Sequence, residues 1–253
     1  MLLLQQLVPP SLKPLSDRRS QPYGAAFDAH FTFGDFTMNL YEKYRAKSFG
    51  EIVGQEQALR TLLAIKQQGW IGQALWIVGP SGSGKTSLAR LVAASAADPY
   101  ATIEIDAQDL SMEQLREFER MSRFRPLGVK MCHCWIINEA HQLSSKVVSR
   151  LQTVLELPET QRTTLWIFTT TNAGQKRLFD TKFDACPFLS RVTVVETVTN
   201  EDTLEAFAKR AMFIAQAEHL DGQPLSAYRE LAVECDCNLR QMIQRIAGGS
   251  MLT

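Results

Sequence analysis

From about residue 55 to residue 196 the chain alternates between short uninterrupted apolar runs and longer stretches whose apolar positions recur every three or four residues. The runs at 74–78, 101–106, 132–138, 164–170 and 191–196 read as strands buried on both faces. The periodic stretches at 55–68, 85–97, 111–123 and 144–157 read as helices with one apolar face. Strand and helix in alternation predict an α/β fold, a parallel five-stranded sheet flanked by helices on both sides, with ligands at the carboxyl ends of the strands. After Val198 the strand pattern stops. Asn200 is placed to cap a helix running through Glu201 to Ala215, and further helices are expected near 224–235 and 238–247. These last ~50 residues are too few for an independent core and are expected to pack on the first unit. The first 38 residues, rich in Pro, Ser, Asp and Phe, carry neither pattern. The expected organisation is a poorly ordered extension (1–38), an α/β domain (39–198) and a small helical lid domain (199–253).

Composition narrows the picture modestly. A hydrophobic content of 45% over 253 residues is enough for a real core. Lys+Arg and Asp+Glu both total 27, so nucleic-acid contact would have to rest on a local patch. The opening Met1 to Val8 is apolar but stops at Pro9, lacks a basic flank and is too short to span a bilayer, so no membrane association is expected. Five cysteines, an odd number, suit a reducing cytoplasm, the expected compartment. The close pairs Cys132 with Cys134 and Cys235 with Cys237 are tighter than usual zinc-ligand pairs and read as small core residues.

The most specific signal lies between the first strand and its helix, where Gly79, Pro80, Ser81, Gly82, Ser83, Gly84, Lys85 and Thr86 follow one another. Glycines let the backbone curl so that successive N–H groups converge on phosphates, and the helix that follows points its partial positive end at the same spot. This pattern predicts binding of a nucleoside triphosphate, with Lys85 reaching the β- and γ-phosphates and Thr86 the Mg²⁺.

The third strand ends in Asn138 and Glu139. Glu139 is the candidate general base, a carboxylate able to polarise a water for attack on the terminal phosphorus. Asn138 stands where an aspartate is usual; its amide oxygen can accept from a metal-bound water but brings no charge. The fourth strand ends in Asn172, expected between those two strand tips and able to orient the water, although Asn is also a common turn residue.

The order of these motifs resembles the AAA+ ATPases, and within them the clamp-loader branch: replication factor C small subunits and the bacterial gamma/tau subunit. The resemblance covers about residues 39–250. It rests further on Glu42 to Gln55, on Glu104 to Ala107, on Leu155 to Glu159, on Phe188 to Val192 and on Asn238 to Gln241. It implies ATP and Mg²⁺ as cofactors and an adenine pocket built from Tyr44, Arg45 and Val53. Arg191 matches an arginine that reaches into a neighbouring subunit's ATP, and Arg240 matches the lid arginine that reads the terminal phosphate. Residue by residue, the other reading of Arg191 is a pair with a local carboxylate, and that of Arg240 a solvated helix face. Other AAA+ subunits, primer-template DNA and a sliding clamp are the implied partners. In clamp loaders two helices track the duplex backbone, and here the matching donors are Arg116 and Arg120 on one helix and Lys146 and Arg150 on the next. Spacing of four puts each pair on one face, although Glu113, Glu117 and Glu119 make a salt-bridged solvated surface an equal reading.

Several positions depart from the family pattern. Asn138 replaces an aspartate, Val192 a cysteine and Ala46 a proline, while 179–186 resembles an insertion. Clamp loaders add a helical collar domain, whereas this sequence stops at Thr253, after the expected lid. Assembly through other subunits, an ATP-sensing subunit with little turnover, and another AAA+ remodeller or helicase loader all remain open at this stage.

Overall fold

Five strands form, each within two residues of its predicted span: β1 (Ala74–Val78), β2 (Thr102–Asp106), β3 (His133–Asn138), β4 (Thr164–Thr170) and β5 (Thr193–Glu196). This is a computed structural model, and it describes residues 39–172 and 186–252. The sheet is parallel throughout, in the order β2-β3-β4-β1-β5. Helices α1 (Glu56–Gln68), α2 (Lys85–Ala96), α3 (Met112–Met121) and α4 (Ser145–Val154) supply the flanking layers. The expected 144–157 helix ends at Val154, a few residues early. Leu157 turns extended and Pro158 opens a separate short helix, α5 (Pro158–Thr163), because proline lacks the N–H and the steric freedom to continue a helix but suits a first turn. The 179–185 part of the expected insertion, like residues 1–38, lies outside the described residues.

Alternation along the strands divides the core in two. Trp76, Trp135, Trp166 and Phe168 point to the layer of α3 and α4, where Phe118 stacks on Trp135 with ring centroids 4.5 Å apart. Leu75, Ile77, Ile136 and Ile167 point the other way, beneath α1 and α2. Cys132 and Cys134 sit in that second layer as free, buried thiols; burial pushes the Cys132 thiol up to about 12 and that of Cys134 well above its ordinary value. Each large side chain so buried contributes about 1.5–3 kcal/mol, which is why both sheet faces fix the positions of the strand tips.

The remaining helices, α6 (Glu201–Ala217), α7 (Leu225–Glu234) and α8 (Leu239–Ala247), share a core of Phe207, Ala211, Tyr228, Leu231, Met242 and Ile246. Cys235 and Cys237 are part of it. Gln55 anchors these helices to the α/β layers. Its amide donates to the Val198 carbonyl (2.9 Å) and accepts from the Val198 N–H (3.0 Å), and Thr203 donates to the Gly54 carbonyl (3.0 Å). No helix among the described residues is long and apolar enough to cross a membrane.

Candidate functional site

The loop between β1 and α2 is bounded on two sides by residues far away in sequence. A Cβ at Gly79 would overlap Thr197, and one at Gly82 would overlap Asn238, the residue that caps α8. Gly82 also holds φ at +73°, so glycine is needed there for both backbone and space. Ser83 and Thr197 share a hydrogen bond of 2.7 Å, which ties the loop to the end of β5. Lys85 opens α2 and is buried. Its ammonium donates to the Pro80 carbonyl (2.6 Å). Burial pulls its pKa down to about 8, the nearby Glu139 works in the opposite direction, and Arg240 adds to the lowering. A buried ammonium held by a carbonyl, at a helix N-terminus, is a fit for phosphate.

Strand pairing brings the tips of β1, β4 and β3 side by side, with Val78 opposite Thr170 and Ile137 opposite Phe168. Asn138 is fixed at both ends of its amide: it donates to Glu104 (2.7 Å) and accepts from the Thr169 hydroxyl (3.0 Å). Glu139 follows in the left-handed region (φ +50°), a strained conformation for a residue with a side chain. His141 stands behind it, its Nδ1 3.5 Å from Glu139 and 3.1 Å from the Thr170 hydroxyl. One open cleft is lined by Thr86, Asn138, Glu139, Glu104 and Arg240 together. Its donors are hard oxygens, suited to Mg²⁺. Among the described residues no three His, Cys, Asp or Glu side chains cluster so as to hold a metal alone.

Beside the loop lies a second pocket whose lining includes Tyr44, Arg45 and Val53, and to which α6 and α8 contribute Phe207, Leu239 and Ile243. Tyr44 is positioned by Glu218 (2.5 Å), and Arg45 by Glu42 (2.9 Å) with a longer contact to Ser87 (3.4 Å). The apolar walls and a rim of donors suit a planar heterocycle. Tyr41 was not legible as a site residue in the sequence. Its ring lies between two guanidinium groups, 4.6 Å from Arg240 and 4.9 Å from Arg45, and its hydroxyl accepts from Arg240 at 3.1 Å. Arg240 of α8 is therefore docked on an aromatic face beside the cleft it lines.

Arg191 lies elsewhere. It sits in a turn before β5, whose far end, Glu196, pairs with Val78 at the phosphate loop, so at least the length of that strand, roughly 10 Å, separates it from that loop. Its guanidinium pairs with Glu156 (2.6 Å) and also donates to the Pro187 carbonyl, while Nε is buried without a partner. Asn172 stands two residues beyond β4, which runs between β3 and β1, and is exposed. Of the four basic residues on α3 and α4, Arg120 pairs with Glu117 and Arg150 with Glu119 (2.5 Å), whereas Arg116 and Lys146 are exposed.

A parallel sheet in this order, with a glycine-rich loop running from β1 into a helix, defines a P-loop α/β protein. The chain belongs to the AAA family, the ATPase family associated with various cellular activities, whose family model matches residues 75–210, more than half of its length. It is 30% identical over 159 residues to DNA polymerase III subunit gamma/tau of Mycobacterium bovis, a match covering 53% of this chain and 27% of that protein. It is 29% identical over 142 residues to DNA polymerase III subunit tau of Bacillus subtilis, covering 47% and 25%. The match thus spans about a quarter of the length of these relatives. Among solved structures the Thermotoga maritima RuvB Holliday junction branch migration motor superposes with a TM-score of 0.60 at 21% identity, covering 81% of this chain and 64% of that one, a likeness of fold.

Proposed function

We propose that this chain is an ATP-binding and ATP-hydrolysing subunit that works in a ring or spiral of AAA+ protomers and couples turnover to assembly on DNA, in the manner of a clamp loader. The observation that carries the reading is the convergence of the buried Lys85 ammonium, the Thr86 hydroxyl, the strained Glu139 and the α8 arginine Arg240 at one strand edge. In this reading the loop N–H groups and Lys85 bind the β- and γ-phosphates, and the pocket around Tyr44, Arg45 and Val53 takes the adenine. Thr86 holds Mg²⁺, with Asn138 acting through water; when bound, the ion offsets phosphate charge. Glu139 takes the proton of the attacking water and Asn172 orients that water. Arg240 exchanges Tyr41 for the terminal phosphate, so that nucleotide state and the position of α8 become one variable. Arg191 is too far from its own loop and serves a neighbour's nucleotide, stabilising charge on the transferred phosphoryl group.

DNA contact is assigned to Arg116 and Lys146, with Arg120 and Arg150 available once their glutamates release them. The sliding clamp as client rests on the resemblance and on the gamma/tau relatives. ATPase rate with and without primer-template DNA at low salt tests the whole reading; stimulation is expected, and its absence where phosphate contacts are strongest would defeat the DNA half. Asn138 favours a second reading, an ATP-sensing subunit with little turnover, because the position that usually carries charge is neutral. Under that reading Glu139→Gln leaves the slow rate unchanged. Under the first it abolishes a robust one.

A further inference from the structure

We infer that Glu104 supplies the negative charge of the magnesium subsite that Asn138 lacks, by accepting a hydrogen bond from a metal-bound water. The inference deepens the ATP-binding reading and rests on it. Glu104 stands on β2, directly beside β3, and lines the same cleft as Thr86, Asn138 and Glu139. Its Oε1 accepts from Asn138 (2.7 Å) and from Arg90 Nη2 (3.1 Å), and its Oε2 accepts from Arg90 Nε (2.7 Å). A carboxylate offers about four acceptor sites, so one stays open after these three donors. A water on a divalent cation is a strong donor for such a site.

The local chemistry fixes the arrangement. Glu104 can only accept when ionised, so the Asn138 NH₂ must face it, and the Thr169 hydroxyl completes the amide on its oxygen side. Arg90 is itself exposed and pins the carboxylate from one side. Asn138 is then a positioning residue: it presents a neighbouring strand's charge to the cleft in place of its own. Asp106 lies two residues along the same strand face and lines the cleft as well, but holds no hydrogen bond to Asn138 among those described.

The test is ATP affinity measured by calorimetry with MgCl₂ and with EDTA for the wild type, Glu104→Gln and Glu104→Gln/Asn138→Asp. Glutamine keeps the size of Glu104 and an oxygen that accepts from Arg90, so the fold is retained. The expected result is that Glu104→Gln binds ATP in EDTA within about twofold of the wild type but loses about tenfold in Mg²⁺, the range seen when outer partners of a metal site are removed. Asn138→Asp in that background restores most of the loss, because the charge and the amide have exchanged strands. An unchanged magnesium effect in Glu104→Gln overturns the inference, as does an equal loss in EDTA, which marks a packing role. Failure of the exchange to restore binding also overturns it, and so does loss of the magnesium effect in Asp106→Asn alone. Should Glu104→Gln fail to fold, Arg90→Ala must show a smaller loss of the same magnesium-specific kind, and a wild-type magnesium effect there overturns the inference. A wild type with no ATP affinity in either medium defeats the functional reading instead.

Discussion

At the carboxyl end of the sheet, β1, β3 and the first turn of α2 bring Lys85, Thr86, Asn138 and Glu139 together, and α8 adds Arg240. At the opposite end Arg191 leaves the start of β5 with Glu156 beside it. The difference follows from strand direction. In a parallel sheet every strand-to-helix turn emerges on one edge, so the tips of several strands converge on one cleft. An arginine ahead of a strand's first residue lies at the other end of the sheet from that cleft, and here it pairs with Glu156 of its own chain.

The largest expected effect separates the two ends outright. Arg191→Ala and Glu139→Gln should each lower turnover by about 10³-fold in an assembled particle, while ATP affinity changes little. Mixing the two inactive proteins should restore part of the rate, since a mixed interface pairs an intact Arg191 with an intact Glu139. A mixture as inactive as its components would break the comparison, because it would place both residues in the service of one nucleotide. Next in size, Lys85→Ala should cost about 2–5 kcal/mol of ATP affinity by calorimetry, the scale for removing one member of a buried charge pair.

The pH dependence sharpens the pocket end. Lys85 in the free protein is lowered to about 8 by burial, and bound phosphates would raise it again. ATP affinity should therefore fall above pH 8, by at most about tenfold per pH unit, and Lys85→Met should flatten the curve. Stability moves the other way. Between about 8 and the ordinary lysine value the unfolded chain binds the proton and the folded one does not, so this residue's contribution rises with pH across that window. The smallest effect belongs to the far end: Glu156→Ala should shift thermal stability by less than about 1 kcal/mol, because Glu156 is 58% exposed and surface pairs contribute little. A larger loss would mean that the pair is structural.

Most of the layered α/β part was legible because its signals are local. Buried strands in a parallel sheet must be apolar throughout, helices over them must repeat at their own period, and a phosphate loop must spend glycines where the backbone curls. Gly79 to Thr86 could be placed at a strand edge on these grounds alone. The short helix α5 was not foreseen, because six residues carry too little apolar periodicity to mark a helix, although Pro158 at its first turn suits one.

What the sequence determined by itself was the kind of chemistry at each tip, since Lys85, Thr86 and Glu139 carry their chemistry in their side chains and their spacing. Only the tertiary structure decided which groups meet. Strand order put Glu104 against Asn138 across 34 positions and Gln55 against Val198 across 143, and the packing of α8 put Arg240 on Tyr41 across 199. It also set Arg191 a strand's length from its own phosphate loop and beside Glu156. Contacts at such separations depend on the packing of whole layers, and no residue's immediate neighbours in the chain record them.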